Sequence, residues 1–295
     1  AFNPTSRLRF PLAVATSDDA RTFGDLLSVH SELPPQRFPG RFKNVGPQYV
    51  RGISDGNGVP PDHALWLTYS VNKEDIWITR VPVPIRDTES NSHLQETFNA
   101  PAVGTPPADW NIYSPAWAPV RVVGTGDASG RALELRDEDP CDYARAVRVF
   151  PATHGLKLSF KVCPRQTTGR LEIELVTAQG SRPLRLAFTE TGRIEANHEG
   201  IWTDAGSYVA GHWTTISVEI AKNPKADRAD VLVDGKLTLP RALVLTEPFS
   251  TVERLSFRTG AFRDRGEAGH EIAGADMKVP AAIFLIDDVD LTAER

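Results

Sequence analysis

The sequence predicts an all-β fold in two regions, and three observations carry that prediction. The 295 residues include 22 glycines and 23 prolines, a density of chain-turning residues that favours many short elements over long helices. Apolar and polar residues alternate with period two in stretch after stretch, the signature of strands with one buried face. No segment of ordinary helix length carries a convincing 3.6-residue apolar period. The hydrophobic share of 40% and charged share of 24% are those of a globular chain, and at ~150 residues per domain the length suggests about two domains.

From Arg9 to Trp77 the pattern is strand, turn, strand, with proline-rich loops between. Leu12 to Ala15 is a short apolar run that ends in the polar turn Ser17-Asp18-Asp19-Ala20-Arg21-Thr22-Phe23, and Leu65 to Tyr69 and Ile76 to Val83 read as further strands. Residues 85–109 lose periodicity and are rich in Pro, Ser, Asn, Thr and Glu, which predicts a linker between a first domain over 1–84 and a second over 110–295. Beyond Trp110 the alternation is strong: Leu156, Leu158, Phe160 and Val162 interleave with Lys157, Ser159 and Lys161, and Leu171, Ile173 and Leu175 with Glu172 and Glu174. The same pattern recurs at 184–188, 216–220, 231–233, 255–257 and 283–291, with Asp234-Gly235 as a hairpin turn. Seven or more such strands predict an antiparallel β-sandwich of two sheets.

Charge and composition exclude several function classes. A net charge of −5 and a pI near 5.8 give no global field for nucleic acid or an anionic membrane surface. No apolar run approaches the ~20 residues of a membrane span. Cys141 and Cys163 are too few for a disulfide framework and lack zinc-site spacing, and a bridge between them stays open. The seven histidines form no metal motif, and no Gly-x-Ser-x-Gly elbow is present. Gly124-Thr125-Gly126-Asp127-Ala128-Ser129-Gly130 has the wrong spacing for a dinucleotide loop and reads as a turn. Asp287, Asp288 and Asp290 offer clustered oxygens for calcium, but solvated strand-end acids are the favoured reading; no other cofactor is expected. The chain begins Ala1-Phe2-Asn3-Pro4 without Met or a signal peptide, which is expected of a processed product or a piece of something longer.

Two resemblances sharpen these expectations. Gly211-His212-Trp213-Thr214-Thr215-Ile216-Ser217-Val218, then Val231-Leu232-Val233-Asp234-Gly235-Lys236 and the closing Phe284-Leu285-Ile286-Asp287-Asp288-Val289 resemble the concanavalin A-like, laminin G-like jelly rolls, over roughly Trp110 to Thr292. Such sandwiches serve as glucanases, lectins or packing partners. Ser17 to Phe23 is similar to the aspartate-box turn of sialidase-like β-propellers, in which Ser and Asp hold a hairpin and the aromatic packs beneath it; here the turn is one residue short and Ala20 stands where glycine is usual. Gly46 to Gly52 and Tyr69 to Trp77 resemble the corresponding strings of propeller enzymes that attack uronate-containing polysaccharides, including rhamnose-glucuronate lyases and rhamnosidases, over about Arg7 to Pro84. A propeller needs at least ~4 blades of four strands, so the resemblance implies a partial β-propeller of about two blades, followed by an antiparallel jelly-roll β-sandwich. It also implies a secreted, extracellular or periplasmic protein whose partner is a polysaccharide or oligosaccharide.

Elimination across a uronate requires its carboxylate to be neutralised while the adjacent proton is removed. Arg51 offers a planar fork suited to a carboxylate, with Gln48 and Tyr49 beside it, and strand alternation would place Tyr49 and Arg51 on one face. His30 titrates near working pH and is the candidate acid or base. The expected catalytic set is therefore Arg51, Tyr49 and His30, with Arg37, Gln48, Asn72 and Lys73 binding substrate and Trp66 or Trp77 available for stacking. Glu32, Glu74 and Asp75 keep a glycoside hydrolase open, since hydrolysis uses opposed carboxyl groups. A carbohydrate-binding protein without catalysis is the reading from another class.

Overall fold

The computed structural model describes residues 1–4, 9–54, 61–83, 90–126, 130–198, 200–221, 228–238, 243–245, 249–260 and 270–294. The chain divides into two compact units, Ala1–Asp87 with Asp264–Asp276, and Thr88–Arg263 with Met277–Arg295. Among the described residues the only helical element is one 3-10 turn, Pro61–His63.

In the first unit β1 (Leu12–Thr16) and β2 (Gly24–His30) form an antiparallel pair. A three-stranded sheet follows, β3 (Pro47–Ile53), β4 (Leu65–Val71) and β5 (Asp75–Val81), in chain order. Leu12, Val14, Leu67, Tyr69 and Val71 are its buried core, with Leu27, Val29, Val50, Leu65 and Trp77 packed against them. The β4–β5 hairpin closes through Asn72 and Lys73, at φ 55° and 57°, with Glu74 N–H donating to Val71 O at 2.9 Å. Two successive positive φ values match the right-handed twist of a hairpin, and asparagine tolerates that conformation better than most residues.

The second unit begins with β6 (His93–Glu96), β7 (Trp110–Tyr113), β8 (Val120–Gly124) and β9 (Arg131–Asp137). It continues through β10 (Arg145–Thr153), β11 (Gly155–Pro164), β12 (Leu171–Val176), β13 (Leu184–Phe188), β14 (Arg193–His198) and β15 (Ile201–Ser207). The last strands are β16 (Thr214–Ile220), β17 (Arg228–Val233), β18 (Lys236–Leu237), β19 (Leu243–Val244), β20 (Val252–Thr259) and β21 (Ala282–Glu294). One antiparallel sheet runs β15-β14-β13-β12-β20-β10-β7, the other β18-β17-β16-β11-β21-β9-β8, with β6 on β21 and β19 on β17. Alternate residues of both sheets, Phe160 and Phe284 from one and Ile173 and Phe257 from the other, share a single apolar core. Leu156, Leu158, Phe160 and Val162 are buried as the alternation requires, and Asp234 and Gly235 turn β17 into β18 at φ 48° and 73°.

The structure bears on several of these expectations, and differs from some. The 85–109 segment is no free linker from His93 onward: β6 pairs Leu94 with Leu291, and Val122 N–H donates to Thr105 O at 2.8 Å. Cys141 and Cys163 are both buried and are not joined in a disulfide. In the Gly124-to-Gly130 string, residues 127–129 lie outside the described residues, while Thr125 N–H donates to Gly130 O at 3.0 Å, extending the antiparallel β8–β9 pairing beyond Gly124 and Arg131. Glu172 and Glu174, read as the solvent face of a half-buried strand, are themselves buried.

Candidate functional site

The Ser17-to-Phe23 turn is built on Asp19. Its Oδ1 accepts from Arg21 N at 2.8 Å, Thr22 N at 2.7 Å and Ser17 Oγ at 3.1 Å, which ties the turn between β1 and β2. The Thr22 and Arg21 backbone donors hold the Asp19 carboxyl at about 2. Ala20 takes φ 57°, where glycine would be unstrained. Phe23 is 65% exposed, so the aromatic expected beneath the turn is not packed there.

Glu74 organises the 37–43 loop. Its carboxylate accepts from the backbone N–H groups of Arg37 and Phe38 and from Lys43 Nζ at 2.7 Å, and it pairs with Arg37 Nε at 3.3 Å, while Arg37 Nη2 reaches Asp75. Burial pushes the Glu74 carboxyl up, but Lys43 and the two backbone donors outweigh it and the net shift is downward. Glu74 is thus an anion with its lone pairs engaged, unsuited to protonate a leaving group. Arg37, expected on substrate, is committed to Glu74 and Asp75.

Asn72 and Gln48 also act as braces. Asn72 Oδ1 accepts from Gly46 N at 2.9 Å and its amide donates to Pro34 O at 3.0 Å, at 1% exposure. Gln48 donates to Asn44 O at 2.5 Å and accepts from Arg9 Nη1 at 3.3 Å. Glycine is required at position 46, where φ is +94° and a Cβ would come within 2.5 Å of Arg9 O. His30, the candidate acid or base, is the last residue of β2 and 4% exposed, in edge contact with Tyr69 and Trp77.

Tyr49 is different. A bulge between Gln48 and Arg51 breaks the alternation that was expected to put Tyr49 and Arg51 on one face, and Tyr49 sits at φ 57° with 60% of its surface exposed. A bulky aromatic in the left-handed region is strained by about 1–3 kcal/mol, and such strain collects at functional sites. Arg9 and Lys73 lie over its ring at 5.9 Å and 5.5 Å, and Lys73 Nζ is anchored on Phe42 O at 2.5 Å. Arg51 is exposed and touches only Val50 O, at 3.5 Å, among the described residues.

The second unit carries an ionic face that sequence reasoning missed. Glu172 is gripped by Arg258, Arg170 and Arg185 at 2.5, 3.0 and 3.4 Å, and Glu174 by Arg182 at 3.1 Å and Arg185 at 3.6 Å. Burial pushes the Glu172 carboxyl up, but Arg258 and Arg170 bring it below its ordinary value. The Arg170 and Arg185 guanidiniums lie 4.8 Å and 5.0 Å from the Trp202 ring centre. Of the acids weighed for calcium, Asp288 pairs with Lys161 at 2.7 Å and Asp290 with His93 and Gln95, and no metal-ligating cluster forms among the described residues.

Residues 110–271 match the family model described as "Sialidase-like, CBM domain". The chain belongs to the sialidase-like CBM-domain family. A solved sialidase superposes on 99% of this sialidase-like CBM-domain chain with a TM-score of 0.89 and 35% identity, and the chain spans 26% of that protein. A Crh5 transglycosylase aligns with 70% of the chain and 85% of its own length at 15% identity, TM-score 0.48. The alginate lyase Aly36B aligns with 69% of the chain and 98% of its own length at 14% identity, TM-score 0.47. No curated protein sequence matches the chain. The family segment runs from β7 through β20 and so takes in every strand of the first sheet of the second unit and all of the second sheet but β6 and β21. The arginine clamp on β12 left one trace in the sequence: glutamates at 172 and 174 with arginines at 170, 182 and 185.

Proposed function

We propose that this chain is the glycan-recognising portion of a larger, secreted sialidase-like enzyme, in which the first unit contributes part of a propeller and the second is a jelly-roll carbohydrate-binding module. The ligand of the first unit is a sugar bearing a carboxylate. One observation carries this reading: the strained, exposed Tyr49 ring lies beneath Arg9 and Lys73, and the exposed Arg51 fork, two residues on in the same strand, has no carboxylate partner among the described residues. Aromatic surface suits the apolar face of a pyranose, and guanidinium suits a carboxylate. The similarity to a sialidase over nearly the whole chain supports the same class of ligand.

Recognition rather than complete catalysis is the reading because Glu74, Glu172 and Glu174 are each held by cations or backbone donors. None is placed as the protonated acid of a hydrolase. Elimination on a uronate is the second reading, favoured by the exposure of both Tyr49 and Arg51; it would rest on Tyr49 as base, since His30 is buried. The test is calorimetric titration of the chain with sialyl and glucuronyl saccharides and their neutral counterparts, alongside assays for unsaturated uronate absorbance and new reducing ends. Binding of the acidic saccharides, abolished by Arg51→Ala, supports recognition. New absorbance would establish the lyase, and equal binding of neutral counterparts would sink the acidic-sugar reading.

A further inference from the structure

The second unit holds a cavity of about 200 Å³ at the place where β6, paired to β21, and β7, paired to β10, leave the two sheets unsealed. Inward-facing Leu94, Trp110 and Leu291 supply apolar wall. The polar part is formed by Asn91, Gln95, Glu96, Asp109 and Arg148. These groups are held before any ligand arrives: Arg148 Nη1 donates to Asp109 O at 2.6 Å, Gln95 Nε2 to Asp290 at 2.9 Å, and Glu96 Oε1 accepts from Phe98 N at 2.9 Å. Phe98 itself is fully buried at φ 54°, so this capping carboxylate fixes the backbone beside the cavity.

Size, lining and charge together define a ligand class. The volume falls below the ~300–1,000 Å³ of pockets for drug-sized molecules and suits a single ring. An apolar wall facing fixed donors and acceptors complements a pyranose, whose C–H face is apolar and whose rim is a row of hydroxyls. Of the three charged side chains lining the cavity, Glu96 and Asp109 are acids and Arg148 is a base. That balance repels a sugar carboxylate, the reverse of the cation-ringed Tyr49.

We propose that this cavity is a subsite for one neutral pyranose unit of a glycan. The proposal rests on the carbohydrate-binding reading of the second unit and is independent of the acidic-sugar reading of the first. A single chain would then recognise an acidic sugar through one unit and a neutral sugar through the other.

The test is calorimetry of the full chain with galactose, N-acetylglucosamine and glucuronic acid, repeated on Arg148→Met and Gln95→Ala, with thermal unfolding to confirm that each variant is folded. The expected result is saturable binding of at least one neutral sugar, weakened about tenfold by Arg148→Met and less by Gln95→Ala, because the Gln95 amide is already bonded to Asp290. Glucuronic acid should instead lose its binding through Arg51→Ala and be indifferent to Arg148→Met, which separates failure of one reading from failure of the other. No saturable binding of either neutral sugar by the unaltered chain overturns the proposal, as does neutral-sugar binding that both variants leave intact. If Arg148→Met unfolds, ligand-observed saturation transfer on Gln95→Ala decides: unchanged transfer to the neutral sugar relative to the unaltered chain counts against the subsite.

Discussion

His30 Nδ1 lies 3.1 Å from the Tyr69 hydroxyl, which lies 2.7 Å from Thr79 Oγ1, so one buried polar chain ties β2 to the β4–β5 hairpin. Burial is the main cause that lowers the His30 pKa to about 4, against a smaller opposing pull from Glu32. The imidazole is therefore neutral in the folded protein at pH 7, and its role is to join the two sheets of the first unit. The same burial pushes the Tyr69 phenol up to about 12, so this hydroxyl stays a hydrogen-bonding group.

Acid sensitivity follows from that histidine. The unfolded chain takes up a proton near pH 6.5 that the folded state refuses until about pH 4. The contribution of His30 to stability is thus fully present above about pH 6.5 and is lost as pH falls toward 4, on the order of 3 kcal/mol in all and about 2 kcal/mol by pH 5. Urea unfolding followed by tryptophan fluorescence at pH 7.5 and pH 5 should show the loss, and His30→Gln should reduce it. A variant that keeps the full difference between the two pH values would contradict the assignment.

Strain at Tyr49 sets stability against binding. Asparagine accepts the left-handed conformation that tyrosine resists, while the two exposed cation contacts it would forfeit are worth about 0.5–1 kcal/mol each. Tyr49→Asn should therefore leave unfolding free energy within about 1 kcal/mol of the unaltered chain. Affinity for an acidic saccharide should fall at least tenfold, because the stacking surface is gone. A stability loss well beyond that range, with affinity retained, would make Tyr49 a packing residue.

What the sequence disclosed follows from how local each determinant is. The burial alternation of β11 and the Asp234-Gly235 turn depend on neighbours along the chain, and both were legible. Ser17 to Phe23 announced its turn because Asp19 bonds to residues two and three positions away. The buried state of Glu172 was hidden because its partner Arg258 lies 86 residues off. For Tyr49 the period-two rule failed at a bulge, where one extra residue on β3 shifts the pairing, and nothing in Pro47 to Ile53 marks that insertion. Gly46 was visible as a glycine; its close approach to Arg9 was not.

The arginine clamp makes its own prediction. Removing one partner of a buried ion pair strands the other and costs about 3–5 kcal/mol, whereas replacing both by apolar groups is often close to neutral. Glu172→Ala leaves Arg258, whose side chain is 4% exposed, without its nearest carboxylate. The double variant Glu172→Leu with Arg258→Met should recover much of that loss in denaturant unfolding, and strictly additive losses would show that the two residues do not act as a pair.

Gly46 links the fold of the first unit to the surface proposed for acidic-sugar binding. Alanine there meets two penalties, a left-handed φ of +94° and a Cβ 2.5 Å from the Arg9 carbonyl oxygen, and the second cannot relax without moving the Arg9 or Gly46 backbone. The combined cost should be at least about 2 kcal/mol. Gly52, on the same strand β3, has open space where a Cβ would stand and no positive φ, so Gly52→Ala should be neutral or slightly stabilising. Arg9 also lies over the Tyr49 ring, so a displaced Arg9 backbone carries the guanidinium away from the site. Gly46→Ala should therefore lower affinity for the acidic saccharide even under conditions where the variant is fully folded, and Gly52→Ala should not. Comparing the two by calorimetry below their unfolding transitions isolates the position of Arg9 from stability in general, and equal affinities would remove Arg9 from the binding surface.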